Sequence, residues 1–435
     1  MPAEPQSTVA NESFLAEMHP GLTRELGQVL EQQDPDTEAP TAPEEPVTLE
    51  TEALLRDAVR VNASDIHLDP LREGAVIRLR IDGAVVNSRR LDSAQTLQLG
   101  NQLKNLVAIN PITLLTLEEG RASRTVAGQP VDLRITCVPC INGEKITVRL
   151  LSPEQTRRQI SDLGLGDHDL ANFRDWIDQV HGMLLVAGPT GSGKTTTLYA
   201  LLQQLRGRER SFITLEDPVE YELEGISQVQ VDPERGLDFA TGVQALLRLD
   251  PDYLMIGEIR DRRSAQAAMD ATVSGHALMA TLHSFDAVSA MTMLQNYDLE
   301  PHDLGTNVEM VVSQRLVRTL CPACREAHPP HPEDRTWYQA LEREVPAQLH
   351  YPRGCEQCGG MGYRGRTGLF EVWRLTDSDR VLLLKGPDER ELRQHLRERQ
   401  QRFLIDDALE KIALGLTTVE ECRILTRMRM GRQAH

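Results

Sequence analysis

The chain has 435 residues, 40% of them hydrophobic and 26% charged, enough apolar material for several cores and for more than one domain. Sixty-five acidic against 47 basic residues leave a net charge of −18, which disfavours non-specific nucleic-acid binding, so no direct nucleic-acid partner is expected. No apolar run approaches the roughly 18 residues of a membrane span, and no signal peptide opens the chain; an intracellular protein is expected, with membrane association only through partners.

Residues 1–48 are rich in Pro, Glu, Gln and Thr, and the first 50 carry eleven acidic residues against Arg24 alone. Asp34–Pro46 has the composition of a disordered linker. Between Glu12 and Leu30, Phe14, Leu15, Met18, Leu22 and Leu26 recur at near-helical spacing, compatible with a short amphipathic helix or with a plain acidic tail. From Leu49 the pattern tightens. A helix is predicted over 51–61 and a strand over 64–68. Ala75–Ile81 alternates with period two into Asp82-Gly83, which predicts a hairpin. A second pair, 131–136 and 145–150, flanks Asn142-Gly143. A mixed α+β domain over 49–152 follows, with arginines at regular places on its strands. Residues 153–181 read as a polar linker with a helix over 170–180.

The next domain, 182–314, is built on Gly188-Pro-Thr-Gly-Ser-Gly-Lys-Thr195, which is G-x-x-x-x-G-K-[ST]. It follows an apolar strand, Met183–Ala187, and opens into a helix, Thr196–Leu202, the context this motif requires. In this reading Gly188, Pro189, Thr190, Gly191, Ser192 and Gly193 curl so that backbone N–H groups face phosphate oxygens at a helix N-terminus. Lys194 reaches the β/γ-phosphates, Thr195 offers a hydroxyl to Mg²⁺, and Thr196 begins the helix. A chance Gly-rich turn is the bland alternative, and the strand–turn–helix context weighs against it. A nucleoside triphosphate site is implied.

Such a site needs acids to hold Mg²⁺ and to act on water. Glu216 and Asp217 follow an apolar strand at 211–215, and Glu258 follows another at 253–256. Alone, each is an ordinary solvated strand end. Beside this loop, acids at the carboxyl ends of parallel strands can converge on it. Ser274–Ser284 carries His276 and His283 around an apolar run, either as satisfied core histidines or with His283 sensing a γ-phosphate.

Residues 315–372 hold Cys321-Pro-Ala-Cys324 and Cys355-Glu-Gln-Cys358. Two C-x₂-C knuckles suit a tetrahedral Zn²⁺ site, and a disulfide pairing is a poor reading for an intracellular chain. Cys137-Val-Pro-Cys140 has the same spacing but follows a strand and lacks a second pair, so a thioredoxin-like redox role is weak. Residues 373–435 read as helical, with Gly415 as a stop, Thr418–Glu421 as a capping box and Cys422 as a packing residue.

In order, the phosphate loop, Glu216-Asp-Pro-Val-Glu220, Gly257-Glu-Ile-Arg-Asp261 and Thr281-Leu-His283 resemble the ATPases of type II secretion and type IV pilus assembly (the GspE/PilB type). Upstream, Ser64-Asp-Ile-His-Leu-Asp-Pro70, Arg78–Gly83 and Gly143–Leu151 are similar to the second N-terminal domain of that family. The resemblance covers residues 49–430. It implies an α/β fold: a RecA-type P-loop ATPase domain, a smaller α+β domain before it, and a zinc module plus helices after it. It implies ATP as the nucleotide, Mg²⁺ and Zn²⁺ as ions, and a homo-hexameric ring. The ring would work in the cytoplasm against an inner-membrane platform protein, powering a pilus or pseudopilus. It also implies that Arg134 and Arg149 reach the triphosphate, that Glu216 polarises water while Glu258 holds the metal's water shell (or the reverse), and that His283 senses the γ-phosphate.

Some positions depart from the family pattern. The large first N-terminal domain of many members is expected to be absent, with only the acidic residues 1–48 in its place. Gln244 stands where relatives often have arginine, while Arg248 remains; Phe285 replaces an asparagine; Cys137 and Cys140 occupy Ser/Thr-type positions. A DNA-translocating or conjugation-type RecA motor is the competing reading, disfavoured by the acidic charge. A regulatory nucleotide-binding protein that hydrolyses little is disfavoured by the retained acids and arginines.

Overall fold

The computed structural model describes residues 49–111, 116–151, 158–179, 181–206 and 209–430. The expected helix within 12–30 and the linker at 34–46 lie outside them. By their contacts the described residues form two compact units, one from residues up to 155 with Arg318–His328 and His350–Gly365, the other from the rest.

The first unit opens with helix α1 (Leu49–Arg60), then strands β1 (Ala63–Pro70), β2 (Ala75–Ile81) and β3 (Ala84–Leu91), helix α2 (Ser93–Leu106), and strands β4 (Glu118–Val126), β5 (Gln129–Cys140) and β6 (Gly143–Leu151). The six strands pair antiparallel in the order β3-β2-β1-β6-β5-β4. Both hairpins expected from Asp82-Gly83 and Asn142-Gly143 are present. Period-two alternation gives the sheet one apolar face. Ile66, Leu79, Leu133, Ile135 and Val148 pack there with Leu54 and Ala58 of α1 and Leu99 and Leu103 of α2. Cys137 joins this core, and burial lifts its thiol to about 11; Cys140 ends β5 exposed, and both are free thiols. On the other face the registers Arg121↔Arg134, Arg134↔Arg149, Asp65↔Arg149 and Asp65↔Arg80 set four arginines and one aspartate in a single row.

The second unit contains helix α3 (Asp167–Gln179), strand β7 (Met183–Ala187), helix α4 (Lys194–Leu205), strands β8 (Phe212–Glu216) and β9 (Ser227–Gln230), helix α5 (Phe239–Leu246), strand β10 (Tyr253–Ile256), helix α6 (Arg262–Val273) and strand β11 (Ala277–Leu282). Helices α7 (Ala287–Asn296) and α8 (Pro301–Asn307) lead into the long strand β12 (Val308–Leu320). The strands run β12-β7-β11-β10-β8-β9, all pairings parallel, with β15 (Tyr363–Arg374) beyond β12. A parallel sheet is covered on both faces, which is why its strands read as unbroken apolar runs. Leu185 of β7 packs in one core with Ala268 of α6 and Met291 of α7. Its neighbours Leu184 and Val186 enter the other core with Trp176 of α3 and Leu198 of α4. Between β12 and β15, helix α9 (Pro332–Ala340) belongs to this unit, whereas strands β13 (Arg325–His328) and β14 (Leu349–Pro352), the latter from His350 on, belong to the first. Helices α10 (Asp377–Leu383), α11 (Glu389–Glu398), α12 (Leu404–Ala413) and α13 (Val419–Met430) complete the chain. Gly415 has φ 66° after α12, and Thr418 Oγ1 accepts from Glu421 N–H at 3.4 Å before α13, the stop and cap expected there. No helix among the described residues is long and apolar enough to cross a membrane.

Candidate nucleotide site and metal centre

The loop between β7 and α4 is anchored at its start, where Gly188 N–H donates to Leu282 O of β11 at 3.1 Å. A Cβ at Gly188 would lie 2.4 Å from Ser192 Oγ and 2.7 Å from Gln314 O, so a side chain cannot be accommodated. Gly193 has φ 86° and opens α4, a conformation that favours glycine. Thr190 and Gly191 are exposed at the crest, and Thr195 and Thr196 are half-buried on the first turn of α4. Lys194 Nζ folds over the loop and donates to Gly188 O at 2.9 Å and Pro189 O at 3.2 Å. Burial pulls its ammonium down to about 8, against the opposing pull of the Glu258 carboxylate.

Glu258 follows β10 and His283 follows β11, and parallel pairing of those strands brings them together. His283 Nε2 lies 3.0 Å from Glu258 Oε2. Arg260 bonds Glu258 Oε1 through Nε and Nη2, and its Nη1 stands 3.0 Å from Asp217 Oδ2. The strand ends are pinned by Thr281 Oγ1 donating to Gly257 O at 2.6 Å and Gly257 N–H donating to Leu215 O at 2.7 Å. Glu258 is thus oriented from two sides. Its field also reaches Lys194.

Glu216 is placed differently. It is 3% exposed, and its carboxylate accepts from Thr214 Oγ1 at 2.6 Å, Gln228 Nε2 at 3.2 Å and the Tyr199 hydroxyl. Burial first, then this carboxylate, push the Tyr199 phenol well above its ordinary range. Asp217, one residue on, is the acid that shares Arg260 with Glu258. His276 sits at the opposite end of β11, hydrogen-bonded to Ala271 O at 3.1 Å. Arg134 and Arg149 are cross-strand neighbours in the first unit, where Arg149 Nε lies 3.2 Å from Asp65 Oδ1. Gln244 and Arg248 are both exposed.

Sequence reasoning passed over the bridge made by Arg260, which joins Glu258 two residues before it to Asp217 on a different element. It also passed over Tyr199, Gln314 and Arg315, whose partners are distant in the chain and leave no local pattern.

Cys321, Cys324, Cys355 and Cys358 converge so that their sulfurs all lie within 4.8 Å of one another. Cys321–Cys355, Cys324–Cys358 and Cys355–Cys358 stand at 3.9, 3.8 and 3.8 Å. Zn–S bonds of about 2.3 Å at tetrahedral angles demand sulfur separations of about 3.8 Å, so the donor set fits Zn²⁺. Backbone N–H groups of Cys355 and Gly362 donate to Cys358 Sγ at 3.2 and 3.1 Å, the outer support a metal thiolate needs.

A family model described as "Type II/IV secretion system protein" matches residues 41–424. The chain belongs to that family. It is 39% identical over 379 residues to the type II secretion system ATPase E of Vibrio cholerae, covering 86% of this chain and 74% of that one. It is 37% identical over 369 residues to the type IV pilus assembly ATPase PilB of Thermus thermophilus, covering 85% of this chain and 42% of that one. Among solved structures it resembles the Legionella pneumophila ATPase DotB, with TM-score 0.65 and 22% identity over 89% of this chain and 98% of that one. The pilus retraction motor PilT with bound ADP gives TM-score 0.58 and 22% identity over 86% of this chain and 96% of that one. These likenesses show the RecA-like fold of this secretion-ATPase family.

Proposed function

We propose that this secretion-family chain is a motor whose ATP hydrolysis at the β7–α4 loop powers assembly of a type IV pilus or of the pseudopilus of type II secretion. The observation that carries the reading is the meeting of Glu258, His283 and Arg260 at the ends of β10 and β11, strands of the sheet whose β7 leads into the phosphate loop. An oriented carboxylate beside a lysine-bearing phosphate loop is equipped to hold a water and stabilise transferring phosphate. Lys194 and the loop N–H groups bind the triphosphate. Thr195 and Glu258 would hold Mg²⁺, which neutralises charge on the phosphates when bound. Glu258 orients the attacking water. Glu216, enclosed by Tyr199, Thr214 and Gln228, reaches that role only after leaving those partners. His283 reads the γ-phosphate through Glu258. Arg134 and Arg149, side by side in the arginine row, clamp the triphosphate with guanidinium forks that match phosphate oxygens. Cys321, Cys324, Cys355 and Cys358 would hold a structural Zn²⁺.

In this reading the motor is a homo-hexamer that works in the cytoplasm against an inner-membrane platform protein. The DNA-motor alternative finds no favouring observation in an acidic chain. The reading is tested with purified full-length protein and Mg·ATP. Glu258→Gln should retain binding of a fluorescent ATP analogue and lose phosphate release by about 10²-fold or more. Turnover at the wild-type rate would remove Glu258 from the chemistry.

A further inference from the structure

Three consecutive residues of β12 hold two loops on opposite sides of the strand, because successive side chains of a strand point to opposite faces. Gln314 faces the phosphate loop. Its Nε2 donates to Ser192 O at 2.6 Å, and its Oε1 accepts from Thr197 Oγ1 at 2.8 Å. Its backbone oxygen fills the space a Cβ at Gly188 would need. Ser313 and Arg315 face the loop between β11 and α7. Arg315 Nη2 donates to Phe285 O at 2.6 Å and Nη1 to Gln314 O at 2.7 Å, and Ser313 Oγ donates to Phe285 O at 3.4 Å. Phe285 is two residues beyond His283.

Arg315 is an expensive residue to place here. It is 6% exposed, has no ion pair among the described residues, and its Nε has no hydrogen-bond partner there. An isolated buried guanidinium is costly unless something offsets it. Burial pulls the guanidinium below its ordinary range, and the carboxylates of Asp286 and, when ionised, Glu371 oppose that from a distance only in part. The guanidinium is explained by what it holds.

We propose that Gln314 and Arg315 are a positioning pair that couples the phosphate loop to the loop carrying His283, so that nucleotide on the first fixes the placement of the second. The pair touches both loops through adjacent residues of one strand, and Arg315 Nη1 closes the link by bonding the Gln314 carbonyl. A shift of Ser192 on nucleotide binding therefore reaches Phe285 through one peptide unit. The inference rests on reading the β7–α4 loop as the triphosphate site.

Hydrogen exchange of residues 283–289, measured on the full chain with and without Mg²⁺ and a slowly hydrolysed ATP analogue, tests it. In wild type the analogue should slow exchange across that segment, on the order of tenfold. Arg315→Gln should bind a fluorescent nucleotide within about threefold of wild type, lose the exchange response, and lower kcat with little change in KM. Gln314→Leu, which acts from the phosphate-loop side, should also lose the response at saturating analogue, and it decides the matter should Arg315→Gln fail to fold. A full response in either variant overturns the coupling, as does a wild-type segment that binds nucleotide without responding. A wild type that binds no nucleotide is a different failure, striking the triphosphate reading itself.

Discussion

Glu371, on β15, is 2% exposed and accepts from the first N–H of two helices at once, Ala287 of α7 at 3.2 Å and Leu404 of α12 at 3.1 Å. Burial, then the nearby Asp286 charge, raise its carboxyl to about 7, against the helix N–H groups and Arg393. Raised above its unfolded value of 4.5, the group holds a proton in the native state that the unfolded chain releases. Its contribution to stability is therefore full below about pH 4.5 and is lost as pH rises through about 7. Asp286, held low chiefly by Arg393 and Ser289 against its own burial, titrates below that window. Thermal melts of wild type and Glu371→Gln between pH 5 and 8 should show wild type losing Tm relative to the variant as pH rises. Parallel curves would mean that Glu371 is already charged throughout. Lys194 shows the same physics with opposite sign: burial favours its neutral form, and a bound triphosphate would restore the charge.

At the level of elements, the parts legible in the sequence were those with a local period or fixed spacing. Alternation in 75–81 and 131–136 gave the hairpins, the unbroken apolar runs at 183–187 and 253–256 gave strands buried on both faces, and the two C-x₂-C knuckles gave the sulfur cluster. Glu216 illustrates what was not legible. Its place after an apolar strand matches that of Glu258, yet Tyr199 from α4 and Gln228 from β9 enclose it, and no spacing rule reports partners on other elements. The Arg121–Arg134–Arg149–Asp65–Arg80 row likewise emerges only from the register of five strands. Purified protein should carry about one zinc per chain, and Cys355→Ser should release it and lower the melting temperature while nucleotide binding persists, because a closed thiolate site contributes folding energy directly. Zinc retained by that variant would contradict the assignment. Arg134→Ala and Arg149→Ala should each cut ATP turnover steeply, on the order of 10³-fold, with nucleotide binding largely kept. Lysine should substitute poorly, since a point charge cannot reproduce a bidentate fork. Near wild-type rates in both would leave this row a solvated sheet face.

For the whole molecule, the described residues form two units with separate cores: one with a parallel sheet whose β7 leads into the G-x-x-x-x-G-K-T loop, the other with an antiparallel sheet whose polar face carries a row of arginines. In the proposed motor, ATP is hydrolysed at the β7–α4 loop. Steady-state phosphate release from Mg·ATP by wild type and Lys194→Ala, with circular dichroism to verify the fold, tests it most directly. Among the described residues the Lys194 ammonium hydrogen-bonds only loop carbonyls, so the variant should remain folded. Its turnover should fall by about 10²-fold or more. Equal phosphate release from the two proteins, or none from wild type in any assembly state, would contradict the claim.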